Sequence, residues 1–223
     1  EGTILNFNGK KWTIEDIHIK IDLNAVYAAD TSHVWVVGGT STRKGGLTDN
    51  CIFLYDGSRW ELEVLDMPEA PSDVSGSSAD NVWMVCERGA ILNRDGGPWF
   101  YELTGVLTTG HAFDFKYLRG VSTLDREHVW AVGWDGTLLF YDGDNWAANS
   151  NKEVSASGKI SVLPDGKVWV PARRGSNYQW NRNLWKRFST NMNGNWNAVC
   201  ALTDKEIWAV GDRGRIIRFD GYD

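Results

Sequence analysis

A tryptophan preceded by valine or isoleucine returns five times along the chain, as Val34-Trp35, Val82-Trp83, Val129-Trp130, Val168-Trp169 and Ile207-Trp208. The spacings between these tryptophans are 48, 47, 39 and 39 residues. A period of this length marks a repeat architecture, and no fold that ignores it can be right. The clearest copy is Glu127 to Trp146, EHVWAVGWDGTLLFYDGDNW. It reads as two short strands around a glycine turn, then Asp142-Gly143, then a tryptophan that opens a third strand.

Each copy resolves into four strands, A to D. Strand A begins about nine residues before the Val-Trp pair, for example at Asn24-Ala25-Val26, Gly120-Val121 and Asn197-Ala198-Val199. Strand B carries the Val-Trp pair. Strand C follows a glycine turn: Ile52 to Tyr55, Ala90 to Leu92, Thr137 to Tyr141, Ser176 to Trp180 and Arg215 to Phe219. It ends at Asp56-Gly57, Asp95-Gly96, Asp142-Gly143 or Asp220-Gly221, dipeptides that suit a two-residue type I′ turn. The fourth copy has Asn181-Arg182-Asn183 instead, where asparagine tolerates the left-handed region. A second tryptophan then opens strand D, at Trp60, Trp99, Trp146 and Trp185.

A four-stranded sheet of this size buries its two faces only against neighbours, and radial stacking of such sheets makes a propeller. The B and D tryptophans are therefore expected between blades. The fold class predicted is all-β, a five-bladed β-propeller with four antiparallel strands per blade, residues 1–223 forming one propeller domain.

The ends of the chain complicate the count. Residues Gly2 to Trp12 read as strand C and the start of D, while Asn197 to Gly221 supply A, B and C. The expectation is a last blade closed by both termini. Yet Gly214, Ile216, Phe219 and Gly221 match Gly2, Ile4, Phe7 and Gly9, so two C strands compete for one slot. Displacement of one copy, strand exchange with another molecule through residues 1–11 and 213–223, or excision from a longer run of repeats would each resolve the surplus.

Composition narrows the function. A net charge of −6 argues against a nucleic-acid partner, which needs clustered cations. No apolar run approaches the length that crosses a membrane as a helix, so no membrane insertion is expected. Three cysteines, Cys51, Cys86 and Cys200, leave no fully paired framework and are read as three buried thiols. No HExxH, GxSxG, P-loop or spaced histidine pair occurs, and no metal or cofactor is expected.

Antiparallel order alone puts the B–C and D–A connections on one face and the tight turns on the other. The longer connections, residues 38–50, 67–72, 105–117 and 188–196, all belong to the first face. Binding groups concentrate on loops held by a rigid frame, so this is the candidate binding face. Arg43, His111, Trp134, Arg173, Arg174, Trp196 and Arg213 are the candidate ligand contacts. The arginines suit a carboxylate, sulfate or phosphate, or are solvated turn residues. Trp134 and Trp196 stand outside both repeat positions; they either stack on a ligand or pack under a loop. A non-catalytic binding or scaffold module, taking a glycan or a protein surface, is the leading reading. The alternative is a carbohydrate-active hydrolase with two facing carboxylates drawn from Glu87, Asp114, Asp135 and Asp212.

The stretch VWAVGWDGTLLFYDGDNW resembles the short-repeat propellers of bacterial secreted and surface proteins, and is distantly similar to photosystem II assembly factor-type and sialidase-type propellers. An extracellular or periplasmic location is what that resemblance implies. The assembly-factor type also implies an arginine patch on one face, loosely matched by Arg173, Arg174 and Arg213. The sialidase Asp-box is not met, because Asp135-Gly136-Thr137 lacks its spacing, and no catalytic residue carries over.

Overall fold

Alternating apolar positions and frequent turns give the chain 21 short strands and no α-helix among the described residues. The computed structural model describes residues 2–15, 17–39, 50–63, 67, 69–102, 117–149, 151, 153–156, 158–190 and 192–221. Four sheets have four antiparallel strands in simple chain order. They comprise β3 (Leu23–Asp30) to β6 (Trp60–Glu63), β7 (Pro71–Ser78) to β10 (Trp99–Tyr101), β11 (Leu118–Thr123) to β14 (Trp146–Ala148), and β15 (Ser161–Val162) to β18 (Trp185–Ser189). Below they are blades 1 to 4. A terminal sheet follows with three strands, β19 (Trp196–Thr203), β20 (Glu206–Gly211) and β21 (Arg215–Phe219). Ahead of blade 1 stands a hairpin, β1 (Ile4–Phe7) and β2 (Trp12–Glu15).

The blades pack by one rule. The B-strand tryptophan of each blade projects onto the C strand of the next sheet and, where that sheet is one of blades 2 to 4, onto its D strand as well. Trp35 shares a core with Trp99, Trp83 with Tyr141 and Trp146, Trp130 with Trp180 and Trp185, and Trp169 with Phe219. Trp99 also donates its indole N–H to Glu63 Oε2 at 2.8 Å, tying blade 2 to blade 1. The hairpin continues the series, with Ile4 against Val36, Phe53 and Trp60 of blade 1.

Two expectations are corrected here. The termini do not share a blade: β1 pairs with β2, and β21 with β20, in separate sheets. No core cluster among the described residues joins the terminal sheet to the hairpin, and Trp208, the fifth B-strand tryptophan, is left 40% exposed. For the same reason only Cys51 and Cys86 are buried thiols, while Cys200, opposite Trp208 in the β19–β20 register, is exposed.

The C–D turns also differ from the two-residue form. Only the glycine is left-handed (Gly57 φ 94°, Gly143 φ 100°), and each turn is four residues long. Asp56 Oδ1 accepts the N–H groups of Ser58 and Arg59, and Asp142 Oδ1 those of Asp144 and Asn145. The acid is there for its acceptor oxygen, not for its φ. In blade 4, Asn181 Oδ1 does the same for Asn183 and Leu184, and Arg182 takes the left-handed position at φ 74°.

Candidate functional site

The loop-bearing face is built by a bond repeated in every blade. The residue just past strand B donates its backbone N–H to the connection that enters strand A. Gly39 donates to Asp22, Glu87 to Ala70, Trp134 to Tyr117, Arg173 to Ser155 and Asp212 to Asn195, at 2.9–3.4 Å. The side chains at this position are therefore held at equivalent points on successive blades. In blades 2, 3 and 4 they are Glu87, Trp134 and Arg173.

These three are linked through Arg119, which β11 places between blades 2 and 3. Arg119 Nη1 lies 3.8 Å from Glu87 Oε1. Its guanidinium carbon sits 4.6 Å from the centre of the Trp134 ring, and that of Arg173 sits 5.2 Å from the same ring. Tyr117 lies tilted against Trp134, with centroids 4.8 Å apart and planes at 34°. Two cations over one half-buried indole form a cation–π cluster. Arg119 Nε is buried and has no hydrogen-bond partner among the described residues.

Beside this cluster opens a cavity of about 550 Å³ lined by Glu153, Ser155, Arg173, Arg174, Tyr178 and Arg187. Among the described residues the lining holds three arginines and one glutamate. Arg187 reaches it from the D strand, where Nε and Nη2 both donate to Ser176 Oγ at 3.0 and 2.8 Å. Tyr178 donates its hydroxyl to Glu153 O at 3.0 Å, which holds the segment before β15 against the blade. Arg174 has φ 59° and Gly175 φ 70°, a left-handed pair that turns the chain sharply out of strand B. Gly175 is clamped on both sides: its N–H donates to Gly194 O at 2.7 Å and its carbonyl accepts from Thr190 N–H at 2.8 Å. The arrangement fits an anionic group, since guanidinium forks pair with carboxylate or phosphate.

Of the residues singled out from sequence, Trp134, Arg173 and Arg174 come together here. Arg213 occupies the equivalent of Arg174 in the terminal sheet, with φ 63°, and does not line the cavity. Its neighbour Asp212 is held below the usual carboxylate range, chiefly because it accepts the Asn195 N–H, with the Asn197 amide second. Trp196 is corrected from a contact to a core residue: it is 1% exposed, in the cluster with Leu163 and Trp169. Arg43 and His111 lie outside the described residues.

Arg119, Tyr117 and Arg187 were not among the candidates. Arg119 is legible as a charged residue opening strand A at the channel mouth. Arg187 has no sequence signal, because only the β17–β18 register sets it opposite Tyr178. Among the described residues no group of three or more His, Cys, Asp or Glu is placed to hold a metal ion. Nor is any helix long and apolar enough to cross a membrane.

No family model matches the chain, and no curated protein matches it. Solved structures do. A structure of YCF48 bound to a D1 peptide superposes with a TM-score of 0.64 at 16% identity, over 89% of this chain and 65% of that one. YCF48 from Cyanidioschyzon merolae gives 0.65 at 18% identity, over 93% and 70%. The WD40 β-propeller domain of Doa1 gives 0.66 at 17% identity, over 91% and 66%. At these identities the likeness is one of fold: the chain is all-β with propeller architecture, and it spans about two thirds of each of these structures.

Proposed function

We propose that the chain is one propeller domain that acts as a non-catalytic binding module and takes an acidic segment of a protein partner on the face shared by blades 3 and 4. The observation that carries this is the Arg119–Trp134–Arg173 cluster opening onto the cavity lined by Arg173, Arg174 and Arg187. A peptide carboxylate pairs with the guanidinium forks that line the cavity. The likeness in fold to a propeller solved with a bound peptide supports a protein partner. A sugar needs an open aromatic face to stack on, and two guanidiniums and Tyr117 already crowd the Trp134 ring.

An array of acidic peptides, with charge-reversed controls and a glycan array alongside, tests the reading. Acidic peptides are expected to bind, with affinity falling as salt rises. Arg173→Ala and Arg174→Ala each remove a charge-assisted bond, so each is expected to weaken binding roughly tenfold or more. Binding to sugars alone, or to acidic peptides undiminished in both variants, would sink it.

A further inference from the structure

The arginine cavity holds positive charge that no partner beside it neutralises. Among the described residues the arginines in ion pairs are Arg59, Arg94, Arg119, Arg126 and Arg218. Arg173, Arg174 and Arg187, which line the cavity, are in none. Glu153 is the one acid in the described lining, and it too is in no ion pair there. Its charge lowers the field of the whole cavity without cancelling any single cation.

Glu153 is held at the cavity by its backbone. Its N–H donates to Asn151 Oδ1 at 2.9 Å, and its carbonyl accepts the Tyr178 hydroxyl at 3.0 Å. Val154 and Ala156, which follow, are buried in the core with Trp130 and Trp180. Ser155 between them accepts the Arg173 N–H. An acid fixed in this way stays in place when an anion enters. The donors are also uneven. Arg187 spends its Nε–Nη2 edge on Ser176 Oγ, a side chain that is itself buried, so it meets a ligand only with its remaining end. Whole forks remain on Arg173 and Arg174.

We propose, on the reading that this cavity takes an acidic segment, that Glu153 limits the segment to carboxylates and turns away phosphate monoesters. A phosphate monoester carries about −1.5 to −2 charges near pH 7, against one for a carboxylate. Attraction to the arginines grows in proportion to the ligand's charge. The cost of stripping water from the ligand grows with the square of that charge. Glu153 lowers the attraction while leaving the dehydration cost as it is, and the doubly charged ligand loses more by this. The third phosphate oxygen, moreover, finds only the free end of Arg187.

Titration calorimetry of the full chain with paired acidic peptides, differing only in a central glutamate or phosphoserine, tests this. Wild type is expected to bind the glutamate peptide the more tightly. Glu153→Gln removes the charge from an exposed residue whose backbone bonds do not need it, and circular dichroism verifies the fold. Because repulsion scales with charge, the variant is expected to gain about threefold for the glutamate peptide and about tenfold for the phosphoserine peptide. Glu153→Asp keeps the charge and is expected to keep the wild-type preference. A wild type that prefers phosphoserine, equal gains for both peptides in Glu153→Gln, or a Glu153→Asp that behaves like Glu153→Gln would overturn the proposal and leave acidic-peptide binding standing. If neither peptide binds wild type, the binding reading falls and this proposal falls with it.

Discussion

Trp83 of blade 2 meets Trp146 of blade 3 edge to face, with ring centroids 5.6 Å apart and planes at 76°. Tyr141 completes the seat at 5.1 Å. Aromatic edges and faces attract through their quadrupoles, and here they do so across a blade boundary. Trp83 is 2% exposed, so Trp83→Ala opens a large cavity there and is expected to cost about 3–5 kcal/mol in urea unfolding. Trp208→Ala removes the same residue from the same strand position in the terminal sheet, where it is 40% exposed and no blade among the described residues covers it. Its cost is expected to fall within about 1 kcal/mol. Equal losses for the two variants would mean that Trp208 is covered.

The C–D turn of blade 1 makes a prediction about pH. Asp56 is held down to about 2, first by the Ser58 hydroxyl and then by the Arg59 and Ser58 N–H groups, all of which favour the charged carboxylate. A carboxylate depressed in the folded chain contributes stability above its unfolded value, and that contribution is lost as pH falls toward 2. Carbon-detected titration of Asp56 should therefore find a midpoint near 2. Ser58→Ala removes the largest cause and should move the midpoint back toward the ordinary aspartate value. An unchanged midpoint in that variant would assign the depression to the backbone bonds alone.

The propeller architecture was legible because it rests on side chains that repeat. A Trp at the B position can serve only one purpose in five copies, and four of the five are buried against the next blade. The hairpin turns were legible in place but not in kind. Asp-Gly reads the same whether the acid supplies a positive φ or an acceptor oxygen, and only the bonds from Ser58 and Arg59 to Asp56 decide it. Ring closure was not legible at all. Matching Ile216 with Ile4 shows a surplus strand but says nothing about which sheet each joins. The binding face divides the same way. Trp134 stood out by breaking the repeat. Arg187 obeys the repeat and is brought to the cavity by register alone.

Two turns with the same local conformation separate steric clash from backbone strain. Arg174-Gly175 and Arg213-Gly214 have all four φ values between 59° and 70°. A Cβ on Gly214 would meet nothing within 4 Å, whereas one on Gly175 would run into the Met192 carbonyl oxygen. Gly214→Ala is thus expected to cost about 1 kcal/mol, from the left-handed conformation only. Gly175→Ala carries that cost and must also push the backbone near Met192 away from the blade, so its loss is expected to be larger. Urea midpoints of the two variants give the comparison. The same displacement should reach the arginine cavity, because Gly175 follows Arg174, and should weaken acidic-peptide binding in Gly175→Ala but not in Gly214→Ala.

Among the described residues Asp73 is the one buried carboxylate, 4% exposed near the start of the blade 2 A strand. It accepts the Val121 N–H from blade 3 at 3.1 Å, and Lys159, just before blade 4, stands 3.3 Å away. Three blades thus meet at one carboxyl group. Burial pushes its pKa up more than Lys159 and the hydrogen bonds bring it down. An acid raised in the folded state binds its proton more tightly than the unfolded chain does. Its stability contribution is then greatest below the unfolded value and falls as pH rises toward the folded one. Lys159→Met removes the opposing charge and leaves the ionised form buried without a cation. The variant is expected to match wild type in urea midpoint near pH 4 and to lose about 1–3 kcal/mol near pH 7, less than for a fully buried pair because Lys159 is partly solvated. Asp73→Asn keeps an acceptor for Val121 and has nothing to titrate, so in the Lys159→Met background it should erase that pH dependence. If the double variant keeps the dependence, the titrating group lies elsewhere.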